Sequence, residues 1–220
     1  MKSARAPLGC VLGYLILSLL SGVRTPSAQC VHIETIVSPD SSNNSGSVFL
    51  GEALGQTFVA DETLIESITV WRVAWQANRV YGMRIYVLPV DSLGVPDANN
   101  VILTGPTVFH TDGDGVSPTA FEWAFDPPLS LPRPGTYEFA VQSDPCYGIW
   151  DILSVDGRTN GRDDYPSGYA WAHSRSDEPC FLRSQPDPYP ATDLCFKIRY
   201  SGGITPIRQS SWGQIKVLYR

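Results

Sequence analysis

The chain reads as an exported, all-β protein: a two-sheet antiparallel β-sandwich, jelly-roll-like. Three observations predict this. The first residues form an export signal. The rest is a series of short alternating segments with turns between them. Charged residues are only 17% of the chain, while Gly and Pro together number 37. That balance suits many short strands and tight turns rather than helices.

The signal spans residues 1–28. Lys2 and Arg5 make a positive start, and Leu8 to Val23 an apolar middle. Ser27 and Ala28 offer small residues for cleavage, although Pro26 fits the −3 position poorly. The apolar run is short for a membrane span and is interrupted by Gly13, Ser18, Ser21 and Gly22. Gln29 before Cys30 does not fit a lipoprotein signal. The expected location is therefore extracellular or at the cell surface.

Residues 29–200 are expected to form one domain, with 201–220 a linker and short tail. Removing the three basic residues of the signal leaves 13 basic against 22 acidic, a formal charge of −9. Nucleic acid is not an expected partner, because phosphate binding needs a basic face. Cys10 leaves with the signal. Cys30, Cys146, Cys180 and Cys195 remain, an even count that reads as two disulfides outside the cytoplasm. Three connectivities exist. The expected one joins Cys30 to Cys195, on the assumption that first and last strands lie side by side, and Cys146 to Cys180 across two late loops.

The elements follow in order. Val31 to Val37 is a first strand, and Ser38 to Gly46 a polar loop. Val48 to Leu50 and Gln56 to Val59 flank Gly51 and Gly55. Ile65 to Trp75 alternates, which sets Ile65, Ser67, Thr69, Trp71, Val73 and Trp75 on one face. Met83 to Val90 precedes a turn at Asp91 to Pro96. Val101 to Phe109 precedes the loop Thr111 to Pro118. Phe121, Trp123 and Phe125 alternate with polar or small residues. Pro127 to Gly135 is proline-rich. Tyr137, Phe139 and Val141 face one way. Ile149 to Val155, Tyr169 to His173 and Leu194 to Tyr200 complete the set. Leu194, Phe196, Ile198 and Tyr200 alternate as in a half-buried antiparallel strand. With no helical period between strands, two packed sheets are the solution. The long stretches after Val141 and after His173 suit Greek-key or jelly-roll crossings.

Gly55-Gln56-Thr57-Phe58, Leu64 to Val73, Phe121 to Phe125, Leu131 to Phe139 (LPRPGTYEF), Tyr169-Ala170-Trp171 and Asp193-Leu194-Cys195-Phe196 together resemble a jelly-roll module of exported bacterial surface proteins. The likeness covers roughly residues 45–200. It implies fold and location, and it brings no catalytic motif.

Asp112-Gly113-Asp114-Gly115 offers hard oxygen ligands for a structural calcium through Asp112 and Asp114, the one cofactor the sequence leaves room for. No bidentate acid completes a calcium loop, and Asp and Gly are ordinary turn residues. Asp163 and Asp164 sit in a second acidic loop, with Arg158 and Arg162 to neutralise them. Tyr147, Trp150, Tyr165, Tyr169, Trp171 and Tyr189 lie in or beside the late loops. An exposed ring offers a flat apolar face to a sugar, and neighbouring acids bind its hydroxyls. Tyr147, Trp150, Asp163, Asp164, Tyr165 and Tyr189 are the candidate ligand residues. Trp71, Trp123 and Trp171 are assigned to the core.

Catalytic patterns are absent. His173 beside Ser174 is only a neighbour, no G-x-S-x-G elbow is present, and no motif selects a carboxylate pair. In the tail, Ser211-Trp212-Gly213-Gln214 fits a helix start. Trp212, Ile215, Leu218 and Tyr219 could form one apolar stripe, too short to be stable without docking. With Arg208, Lys216 and Arg220 and no acids, the tail resembles the short tails of some exported bacterial proteins. It suits its own acidic domain, a membrane surface or a sorting component. The expected function is non-catalytic binding of a glycan or cell-surface component, with a purely structural or adhesive role and an unrecognised hydrolase as alternatives.

Overall fold

The computed structural model describes residues 33–42, 44–49, 53–74, 81–110, 115–144, 149–156, 164–173, 182 and 186–201. For a few strand residues, Trp150 among them, only the backbone is described. The strands in chain order are β1 (Ile33–Val37), β2 (Asn44–Phe49), β3 (Ala53–Ala60), β4 (Leu64–Arg72), β5 (Tyr81–Pro89), β6 (Leu103–His110), β7 (Thr119–Ser130), β8 (Gly135–Asp144), β9 (Ile149–Asp156), β10 (Ala170–His173), β11 (Asp187–Tyr189), β12 (Thr192–Leu194) and β13 (Phe196–Tyr200). A 3-10 turn at Pro39–Ser41 follows β1, with the Ser38 hydroxyl accepting from the Asp40 amide.

Eight of these strands make the framework. β1, β13, β4 and β7 lie side by side in the first sheet, and β3, β8, β5 and β6 in the second, all antiparallel. The chain crosses between sheets at almost every step, with β5 to β6 the pair joined within one sheet. This is jelly-roll order, and it bears out the expected fold class. The segment from β9 to β12 is inserted between β8 and β13. It adds β10 and β11 beyond β3 in the second sheet, and β9, with β12 and β2, beyond Arg72 in the first. The stretch after Val141 therefore crosses between sheets, as expected. The one after His173 returns as a strand paired with β10.

The core fills from both sheets. Ile68, Val70, Phe121, Trp123, Phe196 and Ile198 meet Phe58, Met83, Ile85, Tyr137, Phe139 and Val141, all buried. Phe139 and Phe196 bridge the sheets with ring centroids 5.4 Å apart. Trp123 donates from Nε1 to the Pro106 carbonyl at 3.0 Å, which ties β7 to β6. Buried Gln56 links the sheets through polar contacts. It donates from Nε2 to Asp193 Oδ1 (3.1 Å) and accepts the Leu194 amide at Oε1 (2.9 Å). The expected turn at Asp91 is present, with Asp91 Oδ1 accepting the Leu93 and Val95 amides.

Three features refine the picture drawn from the sequence. The alternation in β4 does not run unbroken from Ile65 to Trp75. Pairing jumps from Ser67 to Ile65 against both β13 and β7, which leaves Glu66 as the extra residue of a bulge. Past it Ile68 and Val70 point inward, and half-buried Trp71 shares the other face with Ser67 and Thr69. The proline-rich segment begins inside a strand, since β7 runs on through Pro127 and Pro128 to Ser130. The ladder skips Phe125–Pro128, so neither proline has to donate to β4.

The third feature concerns Cys195. It is a buried free thiol, its Sγ 3.5 Å from the Ser38 carbonyl oxygen. The first and last strands do lie side by side, but their register sets Phe196 opposite Val37 and Tyr200 opposite Ile33. Cys195 thus sits at the Val37 end of β1, whereas Cys30 precedes its Ile33 end. Three residues span about 10 Å at most, and five residues of strand, about 17 Å, separate Tyr200 from Cys195. A Cys30–Cys195 bridge would need the chain before Ile33 to double back along the sheet. Cys30, Cys146 and Cys180 lie outside the described residues.

Candidate functional site

The outer face of the second sheet carries an unusual set of side chains. The register places His173, Ala53, Gln142, Arg84 and Thr107 in one row across β10, β3, β8, β5 and β6. The next row holds Trp171, Gly55, Ala140 and Tyr86, and the one after it Thr57, Glu138 and Leu88. An outer sheet face normally meets water, yet Glu138 and His173 are both 0% exposed and Gln142 is 2% exposed.

Glu138 reaches His173 diagonally across β3. The His173 Nε2 lies 3.0 Å from both Oε1 and Oε2. Gly55 makes this reach possible, because a Cβ there would stand 1.8 Å from Glu138 Oε1. A glycine inside a strand weakens it, and here the gain is room for a carboxylate. Burial pushes the Glu138 carboxyl above its ordinary value, and His173 pulls it part of the way back. Tyr86 lies with its hydroxyl 3.2 Å from Gln142 Oε1. Tyr169 and Trp171 stack at 5.1 Å. Trp171 is buried, as expected, but on this face rather than in the core between the sheets.

Towards the β6 edge the face opens. Arg84 donates from Nη2 to Asp144 Oδ2 at 2.8 Å, with side chains 40% and 33% exposed. The Thr107 hydroxyl bonds the same Oδ2. Phe109, 59% exposed, stands opposite Gly82. A Cβ at Gly82 would lie 2.2 Å from Thr107 Cγ2 and 2.8 Å from Phe109 Cε1, so Gly82 is what lets the ring lie over β5. The arrangement offers an apolar ring face beside a half-open ion pair.

Of the sequence-based ligand candidates, Asp164, Tyr165 and Tyr189 are described with their side chains. Tyr165 is half-buried and used in packing: its ring meets Phe196 edge-on at 5.4 Å, and its hydroxyl accepts the Val59 amide at 2.9 Å. Burial pushes its phenol up. Its own amide donates to Asp193 Oδ2 at 3.0 Å. Asp164 precedes it, half-buried. Tyr189 is exposed on β11, opposite Ala170. These lie toward the end of β3 opposite the Arg84–Asp144 pair. Trp150 pairs with Val48 in the β2–β9 ladder. Tyr147, Asp163, Asp112, Asp114, Arg158, Arg162 and the tail residues Trp212, Ile215, Leu218 and Tyr219 lie outside the described residues. Among the described residues no group of three His, Cys, Asp or Glu side chains is placed to hold a metal.

Sequence reasoning passed over Arg84, Thr107, Phe109, Glu138 and Asp144. A signal was there: Glu138, Gln142 and Asp144 alternate with Tyr137, Phe139 and Val141, and Arg84 and Tyr86 with Met83, Ile85 and Val87. The sequence alone marks the inward half of that alternation. The outward half acquires meaning only once β5, β8 and β3 are known to be neighbours.

No protein-family model and no curated protein matches the chain. Among solved structures it is similar to the cysteine protease and lectin-like domains of Cwp84, a surface layer associated protein of Clostridium difficile. Identity is 12%, coverage 73% of this chain and 36% of that one, and the TM-score 0.44. The clostridial cysteine protease Cwp84 after propeptide cleavage gives 13% identity, 72% and 38% coverage and a TM-score of 0.45. This chain spans little more than a third of those chains.

Proposed function

We propose that this protein is an exported, non-catalytic binding module whose ligand is a glycan or another cell-surface component. The open end of the second sheet's outer face, at Arg84, Asp144, Thr107 and Phe109, is the binding face. The observation that carries the reading is the placement, on one sheet face, of polar side chains in a register row that ends in a half-open ion pair beside an exposed ring. Sugar sites combine such rings with a few fixed polar groups. Two potential reactive groups are held out of chemistry. Cys195 is 0% exposed, and its thiol is pushed up to about 12, first by burial and then by Asp164 and Asp193. His173 is fully buried with Nε2 committed to Glu138.

Asp112 and Asp114 follow His110, the last residue of β6, and a structural calcium there remains part of the proposal. The tail keeps its proposed role at a membrane surface, a sorting component or the domain itself. The test is a glycan-array screen of the chain with calcium and with chelator. Reproducible binding supports the reading, and loss with chelator assigns the acidic loops a part. No binding in either condition leaves the structural or adhesive role as the better account.

A further inference from the structure

We infer that the ligand is a neutral pyranose and that Arg84, Asp144, Thr107 and Phe109, laid over Gly82, are its subsite. This deepens the proposed function and rests on it.

The polar atoms in use are few. Among the described residues, Arg84 engages its neighbours through Nη2 and Asp144 accepts through Oδ2. Arg84 Nη1 and Nε, and Asp144 Oδ1, keep their hydrogen-bonding capacity on half-exposed side chains. Two adjacent sugar hydroxyls need one acceptor for a donated proton and one donor for an oxygen lone pair. A carboxylate oxygen beside a guanidinium N–H provides both. Thr107 and Asp144 together fix the guanidinium, so less freedom is lost on binding.

Charge selects the class of sugar. The pair is neutral overall and the protein as a whole is acidic. An anionic sugar would have to compete with Asp144 for Arg84 and approach against that field. A neutral sugar meets neither cost. Phe109 supplies the flat apolar face for ring C–H groups. At 59% exposure it contributes little to the core, so truncating it leaves the fold in place.

The experiment is a titration of the full chain with methyl glucoside, methyl galactoside and methyl mannoside, each against methyl glucuronide, followed by ligand-observed NMR. Phe109→Ala and Asp144→Asn are measured beside the parent, with circular dichroism as the check on folding. The expected result is binding of at least one neutral glycoside ahead of the glucuronide, weakened about tenfold or more in both folded variants. Unchanged sugar binding in both variants would overturn this subsite while leaving a sugar-binding protein. A preference for the glucuronide would overturn the neutral class. Absence of binding to all four glycosides here, together with an empty glycan array, would overturn subsite and function alike.

Discussion

At the scale of single residues, Glu138 shows how one side chain shapes its surroundings. A fully buried carboxylate bonded to a fully buried imidazole is held by the cost of leaving either alone. Glu138→Ala is expected to destabilise the domain by about 3–5 kcal/mol in urea unfolding. Gly55→Ala should cost about 1–3 kcal/mol, because its Cβ meets the carboxylate. Combined, the two changes should cost less than their sum, since removing the carboxylate vacates the space the methyl needs. Simple additivity would show that Gly55 is there for another reason.

The pH dependence follows from the same group. Its folded value is raised above the ordinary 4.5, so the folded state holds the proton more tightly than the unfolded chain. Glu138's contribution to stability is therefore fully present below 4.5 and is lost as pH rises toward the folded value. The difference in unfolding free energy between parent and Glu138→Gln should shift against the parent over that window. A shift in the parent's favour would contradict the assignment.

At the scale of elements, the lessons lie in register. The strands from Ile33 to Val37 and Phe196 to Tyr200 were legible because alternation marks a strand with one buried face. The bulge at Glu66 was not, because an extra residue leaves a perfect-looking alternation on the wrong face. The expected Cys30–Cys195 pairing meets the same difficulty: sequence order supplies the neighbouring strands but not the direction or offset of their pairing. Full burial and a thiol pushed up to about 12 predict that Cys195 resists alkylation at pH 8 in the native protein. It should react after unfolding without reductant. Recovery of a bridged Cys30–Cys195 peptide under non-reducing conditions would contradict this.

At the scale of the whole molecule, the jelly roll is held by one core spanning both sheets, with Phe139 near its centre. Phe139→Ala should cost about 3–5 kcal/mol, read from the unfolding midpoint at constant m-value. The fold class was legible in composition and periodicity. The site was not, since Arg84, Thr107 and Asp144 come from three strands separated by long stretches of sequence. Late-loop aromatics drew attention because clustering in sequence is visible. Tyr165, packed on Phe196, shows that such clustering also serves the core.

On the proposed reading, the open end of the second sheet binds sugar. The most direct test is the glycan array run on the parent and on Phe109→Ala side by side. The parent is expected to bind neutral glycans, and Phe109→Ala, still folded, to lose that binding. Equal binding by both proteins, or none by the parent, would contradict it.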